Sequence, residues 1–335
     1  MKKLALALLA LSTALPVSAE TITIKMGTMA PEGSAWHQCL KRIGEQWATA
    51  SNGDVKLKIF PGGVQGDEGD TVKKMRINQL QAAAVTAVGL RDISPDPQAV
   101  STPLMVSTYD ELDYVMGKVG PSMEKAVADK GFQILAWTDT GTMYFFSRKA
   151  ARTPIEMFPQ KVFAVSGDPG SEDAWRSAGF TPVVLSSVNM IPSLQTGMVD
   201  AFTSTPLVAL SLGWYASAKN MTLAPWGTLI GALVVSKKAW DKIPAALQPK
   251  LLAISRREGD LLKADLRKQE KEAIKAMQSK GLNLVVPSDV EAAEWNKLEA
   301  KVFPAVRGKV IPAEAFDAVK AARDEFRAQK KPATP

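Results

Sequence analysis

One cysteine, Cys39, and one histidine, His37, stand in 335 residues. A lone thiol excludes an intramolecular disulfide and any cysteine-rich metal site, so Cys39 reads as a structural buried thiol. His37 reads as an exposed or hydrogen-bonded residue in the first turn of a helix. The chain also lacks a G-x-S-x-G elbow, a P-loop and an H-E-x-x-H sequence. Hydrolytic triads and the common metal chemistries therefore miss their parts, and the chain is expected not to be an enzyme and to carry no cofactor and no metal. Beyond the N-terminal region no apolar run approaches the roughly 20 residues that span a bilayer. Val199 to Leu212 comes nearest, but Asp200 and Thr203-Ser204-Thr205-Pro206 interrupt it. Charge of one sign is scarce as well: the formal +7 is spread among interleaved acids and bases, and nucleic acid is not expected as a partner.

What is present begins with Lys2 and Lys3, an apolar stretch from Leu4 to Leu15, Pro16, and Val17-Ser18-Ala19. These are the parts of a cleavable secretory signal peptide over residues 1–19, and the chain is expected to be exported. Cys39 lies too far on to be the acylated first residue of a lipoprotein. Without the two lysines the charge falls to +5. The remaining length, about 315 residues, exceeds what one hydrophobic core usually serves, so two lobes are expected.

Thr21 to Met26 alternates as a strand does, and Ser34 is a good N-cap for a helix over Ala35 to Ala50. A second strand, Asp54 to Phe60, ends at Pro61-Gly62-Gly63. A helix from about Glu68 to Asn78 and the apolar run Ala82 to Val88 complete the rhythm of a parallel sheet. The pattern continues with a helix over Tyr109 to Lys130 and strands over Phe132 to Trp137 and Thr142 to Ser147. A new unit opens at Thr153-Pro154, with strands at Lys161 to Val165, Val183 to Leu185 and Asp200 to Thr203. Its helices are Ser171 to Ala178, about Val188 to Thr196, and an apolar one running through Trp214. Gly227 to Ser236 reads as a returning strand. From Pro249 to Lys280 apolar residues recur at helical spacing, predicting one long amphipathic helix that braces both lobes, with a bend at Gly259. The fold class expected is α/β, two-lobed, with doubly wound sheets and chain crossovers. Its first lobe takes 20–140 plus about 228–260, its second 141–227 plus about 261–325, and 326–335 is a disordered tail.

Five stretches, in order, resemble the solute-binding subunits of tripartite ATP-independent periplasmic (TRAP) transporters. They are Lys25-Met26-Gly27 to Trp36-His37, Phe60 to Glu68, Val72 to Ala83, Arg152-Thr153-Pro154 with Lys161 to Val165, and Leu194-Gln195-Thr196-Gly197-Met198-Val199-Asp200-Ala201. The resemblance covers roughly Ile22 to Asp289. It implies a periplasmic-binding-protein fold, a small organic ligand gripped by lobe closure, delivery to TRAP membrane subunits, and residence in the periplasm. A monomer is expected, with a helix-mediated dimer as the alternative the resemblance leaves open. One departure alters the implied chemistry. Where carboxylate-binding members of the family carry an arginine on the strand opening the second lobe, this chain has Phe163, which offers no planar fork of donors.

In open α/β sheets ligands collect at the carboxyl ends of strands. That rule selects Met29, Glu32 and Trp36 after the first strand, Thr86 and Val88 after the third, and Trp137, Thr138 and Thr140 at the crossover. The second lobe supplies Phe163, Phe202, Ser204, Trp214 and Trp226. This aromatic set with scattered hydroxyls suits a largely apolar ligand. Trp36, Trp214 and Phe163 also fit a plain core role. Asp67, Glu68 and Asp70 fit complements to a helix's positive end better than a cation site. The alternative is an organic acid held by a substitute arginine, Arg91 or Arg148. An ABC-type binding protein would obey the same physics.

Overall fold

The computed structural model describes residues 21–166 and 169–330. The signal peptide expected over 1–19 and the last five residues of the expected tail lie outside that range.

The chain opens with β1 (Ile22–Thr28), α1 (Ala35–Ala50), β2 (Val55–Phe60), α2 (Glu68–Arg76), β3 (Ala82–Thr86) and the short α3 (Ala87–Arg91). Ser34 caps α1 as expected, accepting a bond from the His37 N–H. Then come α4 (Tyr109–Asp129) and β4 (Phe132–Ser147). The next stretch runs α5 (Pro154–Met157), β5 (Lys161–Val165), α6 (Pro169–Ala178), β6 (Thr181–Leu185), α7 (Met190–Thr196), β7 (Ala201–Ser204) and α8 (Pro206–Ser211). β8 (Asn220–Ser236) returns the chain to α9 (Lys237–Trp240) and α10 (Gln248–Ser279). β9 (Asn283–Val285), α11 (Asp289–Asn296), α12 (Glu299–Val306) and α13 (Ala313–Lys330) follow.

Among the described residues the strands form one sheet in the order β2-β1-β3-β8-β4-β7-β5-β6, with β9 on β8. β1, β2 and β3 are mutually parallel at one end, and β7, β5 and β6 at the other. The antiparallel pair β4 and β8 passes through both ends and makes them halves of one molecule. This revises two expectations. The strands read separately over 132–137 and 142–147 are one strand, and the strand read from Gly227 starts at Asn220. In place of a break the pair carries register irregularities at Ile134/Ala136, Asp139/Gly141 and Met143/Phe145. Bulges of this kind bend a strand without ending it. Gly141 takes φ +112, a backbone region open to glycine, where a side chain would meet the Tyr109 hydroxyl.

Three further corrections concern helices. The apolar helix read through Trp214 stops at Ser211, because Gly213 turns left-handed at φ 72 and Trp214–Ala216 is a separate 3-10 turn. Residues 326–330 are the last part of α13 and not tail. They are tied to α4 by Arg327–Glu111 and Lys330–Asp110 ion pairs. Gly259 lets α10 approach β4: a methyl there would stand 2.9 Å from the Ala136 Cβ and 3.3 Å from the Trp137 carbonyl oxygen.

Cores form on both halves. Leu40, Ile43, Trp47 and Leu251 pack α1 and α10 against the β1 end, while Phe146, Phe202, Leu194 and Met277 fill the β5 end. A third cluster, holding Phe145, Trp226, Val302 and Val115, runs between them. Burial of these side chains is worth roughly 1.5–3 kcal/mol each. Cys39 is fully buried, and burial pushes its thiol up to about 12.

Candidate functional site

A cavity of about 780 Å³ lies where the halves face each other, within the range of about 300–1,000 Å³ usual for small-molecule sites. Its first wall is built from strand ends. After β1 the chain turns through Met29, Ala30 and Pro31; after β3 it turns directly into α3. Thr86 caps α3, accepting a bond from the Val88 N–H at 3.2 Å. Glu68, in the first turn of α2, docks on the same place. Its carboxylate accepts from the Thr86 and Gly89 N–H groups and from the Thr86 hydroxyl, at 2.8–3.1 Å. Gly89 permits the approach, since a Cβ there would stand 2.8 Å from the Glu68 side chain. Burial raises the Glu68 pKa against the pull of those bonds. Glu68 thus anchors α2 to α3, consistent with its reading as a helix-end complement.

The crossing strands contribute Thr138, Thr140 and Met143 from β4 and Trp226, Leu229 and Gly231 from β8. From the second half come Phe163 on β5, Thr203 and Ser204 on β7, and Trp214 after α8. The Phe163 ring stands edge-on to Trp214, with centroids 6.0 Å apart and planes at 68°. The halves also touch: the Ser186 hydroxyl donates to the Asp67 carboxylate across the cavity mouth.

Of the expected site residues, Met29, Trp36, Thr86, Val88, Thr138, Thr140, Phe163, Ser204, Trp214 and Trp226 line this cavity. Three do not. Glu32 is exposed in the turn before α1. Trp137 points its indole N–H at Glu124 of α4, 3.0 Å away. Phe202 is fully buried beside the wall, stacked on Phe146 at 5.1 Å with planes 4° apart and edge-on to Trp214 at 5.5 Å. Residues not anticipated in the wall include Gln98, Ser101, Trp175, Ser186, Val302 and Val306.

Among the described residues, four carboxylate residues line the cavity, Asp67, Glu68, Asp70 and Asp92. Lys73, Arg76 and Arg91 are the cations lining the cavity among the described residues. The Lys73 side chain is 76% exposed, whereas that of Arg91 is 13% exposed. Arg76 lies over the Phe132 ring at 5.5 Å and donates to the Asp92 carbonyl. Arg91, whose Nε is 3.5 Å from the Asp92 carboxylate, is therefore the best-shielded cation of the wall. Arg148, the other candidate, is away from the cavity: it donates to the Leu194 carbonyl at 3.1 Å, at the end of α7. Three buried polar atoms in cavity-lining residues have no hydrogen-bond partner: the Trp36 indole Nε1, a donor, and two acceptors, the Gln98 Oε1 and the Asp67 Oδ1. Buried polar groups are seldom left so, and each is a handle for a polar ligand. Among the described residues no group of three or more His, Cys, Asp or Glu side chains is placed to hold a metal.

Two halves joined by crossing strands, with one cavity between them, define a two-lobed binding protein. The chain belongs to the DctP family, the bacterial extracellular solute-binding proteins of family 7, which it matches over residues 26–307. It is 24% identical over 326 residues to a C4-dicarboxylate-binding periplasmic protein of Rhodobacter capsulatus, covering 95% of this chain and 96% of that one. Two solved TRAP periplasmic solute-binding proteins share its fold. One, from Ralstonia eutropha with bound (S)-2-acetolactate, superimposes at TM-score 0.84 and 20% identity over 91% of this chain and 99% of that one. The other, from Roseobacter denitrificans with bound β-D-glucuronate, does so at 0.82 and 18% over 89% and 99%.

Proposed function

We propose that this chain is the periplasmic receptor of a TRAP transporter and captures a small organic acid between its lobes for delivery to the membrane subunits. The observation that carries the acid is Arg91, a guanidinium shielded in the cavity wall. Arginine's fork of donors matches a carboxylate, and low exposure strengthens the pairing. The ligands named for the three relatives above, a C4-dicarboxylate, acetolactate and glucuronate, are all acids. The expectation of a largely apolar ligand finds no support among them, and the acid reading takes its place. Membership of the DctP family sets aside the ABC-type alternative.

Arg91 faces the cavity from the first half, whereas Phe163 stands in the second half where the family resemblance places an arginine. The anchor has thus changed lobes in this reading, with the Trp36 indole and Thr86 in the wall of the same cavity. The lobes themselves we place at 20–140 with about 228–260, and at 141–227 with most of 261–312. α13 joins the first lobe because it packs on α4. Delivery follows from closure: a ligand shifts the lobes as far as its affinity differs between open and closed states.

The test is calorimetric titration of the purified chain with succinate and glucuronate, combined with native mass spectrometry of whatever co-purifies. Hydrogen bonds to charged groups contribute about 1.5–3 kcal/mol, so Arg91→Ala is expected to weaken acid binding roughly 10- to 100-fold. An unchanged affinity removes Arg91 as the anchor, and a co-purified ligand without an acid group overturns the class.

A further inference from the structure

An ionised carboxylate accepts hydrogen bonds and has none to donate. The unpartnered polar atoms of the cavity wall therefore divide unequally. The Trp36 indole Nε1 is a donor and suits an acid group, whereas the Gln98 Oε1 and the Asp67 Oδ1 are acceptors that an acid group alone leaves bare. Asp67 is the sharper case. It stands at the start of α2 yet makes no capping bond to that helix. Its other oxygen accepts from the Ser186 hydroxyl of the second half. Lys73 is bonded to Asp70, Arg91 stands against Asp92, and among the described residues no lysine or arginine is ion-paired with Asp67. The start of α2 also lies against α3 and the residue after it. Glu68 accepts from the Gly89 N–H, and a Cβ on Gly69 would stand 2.7 Å from the Asp92 carboxylate. Asp67 and Arg91 thus belong to one part of the first half's wall, opposite charges on adjoining helix ends.

An acid with no other polar group, brought to Arg91, meets a like charge at Asp67 and leaves its Oδ1 without a donor; both weaken binding. An ammonium group answers both, since it is all donors and carries the opposite charge. We propose that the natural ligand is an amino acid, with its carboxylate at Arg91 and its ammonium group donating to the Asp67 Oδ1. This deepens the acid reading above and rests on it. Because Ser186 holds the same carboxylate from the second half, the ammonium is gripped where the halves meet.

Succinate, L-malate and L-aspartate share one diacid skeleton and differ at a single position, which carries hydrogen, hydroxyl or ammonium. Calorimetric titration of the full chain with these three, and with butanoate, 2-aminobutanoate and 1-aminobutane, reads the donor directly. A hydrogen bond between charged groups is worth roughly 10- to 100-fold in affinity, so each amino acid is expected to bind at least about 10-fold tighter than its parent acid, with malate between. Asp67→Asn keeps the shape and removes the charge, and is expected to cut the aspartate-to-succinate preference about 10-fold. Ser186→Ala breaks the contact between the halves; it is expected to weaken every probe alike and to keep that preference. Circular dichroism checks the fold of both variants. Aspartate binding no tighter than succinate overturns the inference and leaves the acid reading standing, as does malate binding tighter than aspartate. A preference untouched by Asp67→Asn removes Asp67 as the partner of the amine and overturns the inference as well. 1-Aminobutane binding as tightly as 2-aminobutanoate, with Arg91→Ala harmless, overturns the acid reading itself. Absence of binding by every amino acid probe overturns the inference.

Discussion

Phe163 shows how much one side chain decides. It sits on β5, 7% exposed, between the cavity and the Trp214 ring. Its place in the wall is legible in the sequence because the strand opening the second lobe is fixed by Lys161 and by the motif ending at Ala201. The same reasoning fails one strand away. Phe202 lies beside Phe163 and shares the face of Ser204, but Phe146 and Trp214 cover its ring, and such packing by residues distant in sequence is not readable from spacing. Trp137 is lost for another reason: side chains alternate faces along a strand, so while Thr138 and Thr140 line the cavity the tryptophan beside them turns to Glu124. A direct prediction concerns the exchanged position. Phe163→Arg brings a second guanidinium to the wall, and succinate affinity is expected to rise roughly 10-fold, the lower figure for one charged hydrogen bond. Titration at low salt reads it, and no gain for succinate counts against Phe163 facing the ligand.

At the scale of elements, the regular helices were readable and the crossing strands only in part. α1, α4 and α10 each carry an apolar stripe long enough to identify. β4 was read as two strands because Asp139-Thr140-Gly141 resembles a turn, and only pairing with β8 carries the chain through it. The helices after residue 288 lack a strong apolar stripe, although Ser288 and Glu291 spell a capping box that forms as such. That weak signal hid Val302 and Val306 from the site. Gly259 belongs to this scale too. Alanine in a helix interior ordinarily gains about 1 kcal/mol over glycine. Here the added methyl meets the Ala136 Cβ and the Trp137 carbonyl oxygen at distances that force α10 off β4. Overpacking of this kind costs about 1–3 kcal/mol. Gly259→Ala is therefore expected to lower the urea midpoint of unfolding, and a raised midpoint refutes the close-approach account.

Across the whole molecule, the element that touches both halves carries an ionic network where the strands cross. Arg267 of α10 bonds Asp139 of β4 and both carboxylate oxygens of Asp113 on α4, all at 2.7 Å, and its guanidinium lies 4.6 Å from the centre of the Tyr109 ring. The Tyr109 hydroxyl donates to Glu270, one turn further along α10. Burial raises the carboxyl pKa of Asp139, which has one oxygen without a partner, and burial likewise raises that of Glu270 and Glu68. The bond from Arg267 lowers that of Asp113. The two kinds of shift act with opposite sign. A group raised on folding lends stability that is complete below its unfolded value, about 3.9–4.3 for these carboxyls, and is lost as pH rises through the folded value. A lowered group such as Asp113 lends stability above the unfolded value and loses it as pH falls through the folded one. Acidifying from neutrality therefore first relieves Asp139, Glu270 and Glu68, before Asp113 and the similarly lowered Glu258 begin to fail. The thermal midpoint is expected to rise as pH falls from neutrality towards about 4 and to fall below that. Melting curves across that span test it, with Asp139→Asn expected to flatten the rise. A midpoint that declines steadily from pH 7 downward shows that these buried carboxyls are not the groups that set the molecule's response to acid.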